Sequence, residues 1–342
     1  MVVLRGGGAD HDRTAAVRKA AGEFFARQRL RNIARVHNRL GDTDRAEVGV
    51  VHLVQCECNW LQALEGDIDT SHFGFLHTGS VQPDDVPPDS LMRWTVVNRA
   101  PEYHMNDTSY GTMYCAYRPA EPGQTYWRFA NFLFPFWTQT PQGPFDRVNT
   151  RAWVPMDDTH TMFVSLSWRG SPTSMRPLKN GQMVPGTRLG FDYLPNTTDW
   201  YGRWRLTQNP SNDWMIDRVA QRTESYTGIP SIHGQDQGVT ESMGPITDHA
   251  FENLGPSDIM IARTRRRLLR AARAFAKDGT VPPGVDEPGI YTAVRSGDFV
   301  TDAKIAWRDA YEMQMRAAPE PGRERQSAAC CIGRTAARFC MS

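Results

Sequence analysis

Residues 56–80 read CECNWLQALEGDIDTSHFGFLHTGS, and the spacing within them dictates what the rest of the chain must supply. Asn59, with Gln62 three positions on, is a capping-box variant, which predicts that a helix starts there. Trp60, Leu64 and Ile68 recur every four residues and mark its buried face. Glu65, Asp69 and His72 follow at spacings of four and three, so on a continuous helix running to about His77 they share one stripe and set two carboxylates beside one imidazole. His77 lies five residues after His72, about 140° around an ideal helix, so both rings face one point only if the helix ends or bulges between them. Gly74 stands where such a π-type distortion is easiest. Either histidine alone reads as an ordinary half-buried ring satisfied by hydrogen bonds. Together, as D-x-x-H-x-x-x-x-H on an otherwise apolar helix, they predict a metal site, with Asp69 placed to accept the hydrogen of a ligating ring's other nitrogen.

Two imidazoles need an anionic third partner to make the facial triad that holds non-haem Fe(II) and leaves positions open for oxygen. The stretch from Gly228 to Asp258 offers Asp236, Glu241, Asp248, Glu252 and Asp258, and composition does not choose among them.

Around this segment the chain reads as α+β. Short β-rich runs (Trp94-Thr95-Val96-Val97, Trp127-Arg128-Phe129, Phe132-Leu133-Phe134 and Met162 to Leu166) are separated by turn-forming clusters such as Arg118 to Gly123 and Pro155 to Asp158. They predict an antiparallel sheet. A second helix is expected from Ser257-Asp258, as N-cap, to about Lys277, ending before Gly279. Its apolar stripe is Ile261, Leu268, Leu269, Ala272 and Phe275, while Arg263, Arg266, Arg267, Arg270 and Arg273 make a solvated face.

The 39 basic and 38 acidic side chains leave a formal charge of +1, which gives no electrostatic footprint for a nucleic acid or an anionic membrane. No run approaches about eighteen consecutive apolar residues and no signal-peptide core is visible, so a cytoplasmic chain is expected. The six cysteines lack the C-x-x-C spacing of a structural zinc site. The ends differ from the middle: a helical patch from Thr14 to Leu40 has apolar residues too loosely spaced for an amphipathic helix, and Pro319 to Ser342 has no periodicity.

The run from Cys58 to Gly66 followed by Asp69, His72 and His77 resembles the iron-binding helix of Rieske-type ring-hydroxylating oxygenases, most of all the phthalate 4,5-dioxygenase group. The runs Asn212 to Arg218, Ser225 to Ile229, and Gln235-Asp236 through Glu241 to Ile246 resemble the same group, in the same order. The resemblance implies a helix-grip (START/Bet v1-like) fold, an antiparallel sheet around a long helix over an apolar cavity. It implies that His72 and His77 are the histidine ligands of a mononuclear Fe(II), that Asp236 is the carboxylate ligand, and that Asp69 is the acid linking the iron to the Rieske cluster of a neighbouring subunit. Glu65 falls where relatives vary. The implied reaction uses O2 to hydroxylate or demethylate a small aromatic substrate, in a possible homotrimer.

A Rieske [2Fe–2S] cluster takes two Cys and two His, as C-x-H and C-x-x-H. No cysteine of this sequence has a histidine two or three residues later. The expectation is therefore a truncated or excised catalytic domain over residues 55–318, with an atypical, poorly ordered leader over 1–54 in place of a Rieske domain and a tail over 319–342. Electrons would come from a separate ferredoxin or flavin/iron–sulfur reductase. The alternative is an inert helix-grip domain that binds iron or an apolar ligand without turnover.

Overall fold

The computed structural model describes residues 48–168, 177–292 and 294–318; the expectations for the leader up to residue 47, its helical patch and the tail lie outside them, while residues 48–54, expected in the leader, lie in the first strand of the sheet. In chain order the elements are β1 (Val48–Cys56), α1 (Trp60–Ile68), a π-turn (Phe73–His77), α2 (Met92–Val97), β2 (Glu102–Asp107), β3 (Gly111–Pro119), β4 (Gln124–Leu133), β5 (Trp137–Gln139), β6 (Val148–Pro155) and β7 (Thr161–Trp168). There follow α3 (Arg218–Thr223), α4 (Ile232–Ser242), α5 (Ile259–Asp278), β8 (Gly297–Asp302) and α6 (Trp307–Ala317).

The eight strands form one antiparallel sheet in the order β1-β7-β6-β5-β4-β3-β2. β8 pairs with Gln124–Phe129 of β4, alongside the stretch where β5 pairs with Asn131–Leu133. Strands β3 and β4 are buried on both faces, and alternation sorts their side chains into two cores. Tyr114, Ala116, Ala130 and Phe132 join Trp60, Leu61, Leu64 and Ile68 of α1 and Met260, Ile261 and Leu268 of α5. Met113, Cys115, Trp127 and Phe129 point the other way, against Phe145, Phe299 and Ala310 of α6. This is the α+β, helix-grip arrangement: one twisted sheet with its inner face closed by α1 and the long α5.

α1 is pinned to the sheet by a buried acid. Asp67 accepts hydrogen bonds from Thr138 Oγ1 and Trp153 Nε1, each at 2.7 Å, and pairs with Arg151. α5 ends as the sequence predicts, with Gly279 left-handed at φ +76° and its amide donating to Phe275 O. Of the predicted stripe, Ile261 and Leu268 are buried and Leu269, Ala272 and Phe275 half-buried. α5 starts after Asp258 as predicted, but without a side-chain capping bond. Asp258 accepts from Gly255 N in a preceding 3₁₀ turn and makes no side-chain bond to α5.

Trp94 to Val97 is not a strand. These residues lie in α2, where Met92 and Val96 pack on Val81, Val86 and Val184, and Thr95 Oγ1 donates back to Met92 O at 2.7 Å. Burial of this small cluster outweighs the β-propensity of the run.

Candidate metal centre

Asn59 does cap α1, accepting from Leu61 N at 3.0 Å, but Gln62 does not complete a capping box. Its Nε2 donates to Thr240 O and Gly244 O, and its Oε1 accepts from Thr247 N, so it ties α1 to the end of α4. The Asn59 amide donates to Pro245 O instead.

The predicted helix from Asn59 to His77 is broken in two. α1 stops at Ile68, and Asp69, in extended backbone, starts the next turn: its Oδ1 accepts from Ser71 N and Oγ, and its Oδ2 from His72 N. The break takes Glu65 off the stripe shared with Asp69 and His72; it turns away to pair with Arg265 of α5. Beyond the break, Thr78 N donates to Phe73 O, the five-residue spacing of a π-turn. The His72 and His77 rings thereby come to 5.1 Å between centroids, 76° apart. Gly74 also fits a close approach: a Cβ there would sit 3.3 Å from Thr95 O and from Arg99 Cβ. Arg99 donates to Gly74 O, to Thr78 O at 2.9 Å and to Val81 O at 2.8 Å, adding a charged donor to carbonyls of the π-turn and of the residues that follow it.

The acid comes from α4, whose start is capped by Ser231 Oγ accepting from Gly234 N. Asp236 Oδ1 lies 3.1 Å from His77 Nε2 and 3.7 Å from His72 Nε2. One ligand atom from each of the three residues falls within 4.8 Å of the others, the only such trio among the described residues. The other four acids left open by composition are engaged elsewhere. Glu241 accepts from Glu57 N, Trp214 Nε1 and Gln237 Nε2; Glu252 pairs with Arg265; Asp248 and Asp258 accept backbone amides.

The charges are mutually set. Burial raises the Asp236 carboxyl, but His77 and His72 outweigh it and hold it at about 2. Burial lowers His72, yet Asp69, 3.3 Å from its Nδ1, and Asp236 carry it above its ordinary value. Asp69 is held below the usual carboxylate range by His72 and Ser71 despite burial. The arrangement offers two imidazole nitrogens and one carboxylate oxygen to a divalent cation.

Two arginines nearby were not singled out from the sequence. Arg118 and Arg128 occupy the inward register of β3 and β4, in line with Tyr114 and Ala116 and with Ala130 and Phe132. Arg128 Nε donates to Thr70 Oγ1 at 3.0 Å, between Asp69 and His72 in sequence, and its guanidinium carbon lies 4.8 Å from the Phe73 ring centroid. Arg118 is wholly buried; its Nε donates to Asn98 O at 2.6 Å, while Nη1 and Nη2 have no partner among the described residues. Burial, then Arg128, pushes it down to about 10. A charged residue at an inward position of a strand was the readable signal.

The sequence matches the family described as "LigXa C-terminal domain like" over residues 35–329. It is 50% identical to the 3-chlorobenzoate-3,4-dioxygenase oxygenase subunit of Comamonas testosteroni over 274 residues, covering 79% of this chain and 63% of that one. It is 32% identical to the phthalate 4,5-dioxygenase oxygenase subunit of Pseudomonas putida, covering 74% and 57%. Among solved structures, dicamba monooxygenase bound to 3,6-dichlorosalicylic acid matches at a TM-score of 0.36 and 11% identity, over 68% of this chain and 62% of that one. The chain thus spans about three-fifths of the length of the curated relatives it matches. With the family match running through both the sheet and the His72–His77–Asp236 cluster, the chain belongs to the LigXa C-terminal-domain-like family of Rieske oxygenase catalytic domains.

Proposed function

We propose that this chain is the catalytic domain of an oxygenase that holds mononuclear Fe(II) on His72, His77 and Asp236 and uses O2 to hydroxylate or demethylate an aromatic acid. The observation that carries the reading is the convergence of those three side chains on a π-turn, within 4.8 Å of one another. The donor set fits ferrous iron: two imidazoles and one carboxylate make a facial triad, and among the described residues no lysine or arginine pairs with Asp236. Iron bound there supplies the activation of dioxygen, for which two electrons per turnover come from a separate iron–sulfur donor, a ferredoxin or a reductase.

The chain's own residues orient and position. Asp69 holds the His72 ring through Nδ1, and with side chains 19% and 26% exposed the pair is where an external donor meets the site. Arg118 is the anchor for the substrate. A buried guanidinium whose two terminal nitrogens find no partner among the described residues is costly unless an anion pairs with it, and a carboxylate matches the guanidinium fork in bidentate fashion. The two relatives named above act on 3-chlorobenzoate and phthalate, both aromatic carboxylates. A homotrimer and a cytoplasmic setting complete the reading; no helix among the described residues is long and apolar enough to cross a membrane.

The test supplies Fe(II), a ferredoxin-type reductase and a chemical reductant, and follows oxygen uptake with benzoate or 3-chlorobenzoate. Aromatic-acid-dependent uptake that disappears in Asp236→Ala supports the proposal. Tight iron binding with no uptake overturns it in favour of a binding domain without turnover.

A further inference from the structure

Gln235 precedes Asp236 on α4 and is 1% exposed. Its carboxamide bridges His77 and two backbone carbonyls. Oε1 lies 2.7 Å from His77 Nδ1, while Nε2 donates to Gly186 O at 2.6 Å and to Ile229 O at 3.1 Å. A carboxamide has one accepting and one donating end. Turned over, this one would press its oxygen against two carbonyl oxygens, so only one orientation is open to it. The atom facing His77 Nδ1 is therefore an acceptor, and Nδ1 must carry the hydrogen. In the neutral ring that binds a metal, Nε2 is then the nitrogen left with a lone pair, and Nε2 is the atom 3.1 Å from Asp236 Oδ1.

Gly186 closes this lock from outside the cluster. It is left-handed at φ +76°, and a Cβ there would lie 2.5 Å from Gln235 Nε2, so its carbonyl reaches the carboxamide as no other residue would allow. The two rings are thus held by different chemistry: His72 by the Asp69 carboxylate, His77 by a neutral amide.

We propose that Gln235 is the positioning residue that fixes the tautomer of His77 and so presents Nε2 to the metal position beside Asp236. The inference rests on the metal reading above. The nitrogen of a histidine that binds a metal is set by the hydrogen bond its other nitrogen makes, and loss of that partner costs affinity.

The experiment uses the full chain with Zn(II) as a diamagnetic probe. In ¹⁵N-histidine-labelled protein the expected result is a His77 ring protonated at Nδ1 and metallated at Nε2. Gln235→Met, near-isosteric but without the acceptor, weakens Zn(II) binding about 10- to 100-fold. In Gln235→Met the His77 ring no longer keeps a single Nδ1-protonated, Nε2-metallated form, a spectroscopic change that a purely structural role would not give. Zn(II) bound with His77 Nδ1 unprotonated, Gln235→Met binding as tightly as wild type, or Gln235→Met keeping the wild-type His77 tautomer each overturns the inference and leaves the metal reading standing. Failure of the wild-type protein to bind Zn(II) at all overturns both.

Discussion

Arg265 of α5 grips Glu65 of α1 at both oxygens, with Nε 2.5 Å from Oε1 and Nη2 2.6 Å from Oε2, and the same guanidinium reaches Glu252 Oε1 at 2.7 Å. The pair joins the helix that leads into the metal cluster to the long helix that closes the sheet. Removing one partner strands the other: Arg265→Met leaves Glu65, which is buried, without its cation. The expected cost is about 3–5 kcal/mol, largely recovered in the double variant Arg265→Met/Glu65→Leu. Urea denaturation at unchanged slope measures it. A loss of only about 1 kcal/mol, the worth of an exposed pair, would show that the tie does not hold the helices together.

Arg99 is the donor to three carbonyls of the segment from Gly74 to Val81. Arg99→Met removes the charged donor from all three, leaving Gly74 O to Thr78 Oγ1 and Thr78 O to Val81 N, and hydrogen bonds from a charged donor are worth about 1.5–3 kcal/mol each. The variant is expected to lose amide-exchange protection across residues 73–81 before the sheet does, together with affinity for a divalent metal. Exchange mass spectrometry reads the first. Uniform protection in wild type and variant would mean that the turn does not depend on this guanidinium.

What could be read in advance follows the range of the forces involved. The distortion between His72 and His77 was legible because helix geometry alone forbids two rings five residues apart from facing one point, and the π-turn over Phe73–His77 meets that requirement. Asp236 was not legible from composition, since four other acids in the same stretch are as close in sequence; α4 and its cap at Ser231 decide which one arrives. Glu65 was misplaced because the stripe assumed an unbroken helix, whereas the Asp69 side chain takes up the amides of Ser71 and His72 and ends it. Trp94 to Val97 has the residues of a strand, but Val81 and Val86 from just upstream and Val184 from far along the chain gather around it, and their burial makes a helix of it.

His233, one turn before Asp236 on α4, predicts an acid-sensitive fold. Its ring packs 4.6 Å from Phe163 and 5.2 Å from Phe191, stacks on Trp153, and its Nε2 has no partner among the described residues. Burial pushes it from 6.5 down to about 4; Asp236 and Asp67 pull it up a little and Arg151 opposes them. The unfolded chain then binds a proton that the folded chain refuses between those values, so stability is full above about pH 6.5 and falls as the pH drops toward 4, by about 3 kcal/mol for this group. Comparing denaturation at neutral and acid pH in wild type and His233→Phe isolates it from the carboxylates. Equal losses in the two proteins would show that the ring accepts its proton in place.

Arg118 should trade stability against binding. Free of an anion, its guanidinium is buried with two nitrogens that have no partner among the described residues, and a buried charged group left without partners costs upwards of about 1–3 kcal/mol. Arg118→Met fills nearly the same space without the charge, so the ligand-free variant is expected to be more stable than wild type by that order. The same change removes the fork that meets a carboxylate, and benzoate binding should weaken by at least about tenfold, or about 1.4 kcal/mol, while an uncharged benzene analogue is affected far less. Thermal denaturation with and without benzoate reads both effects: wild type gains stability on adding the acid and the variant does not. A variant that is destabilised yet still answers to benzoate would place the carboxylate elsewhere, and the unpaired nitrogens of Arg118 would then be a cost the fold bears without return.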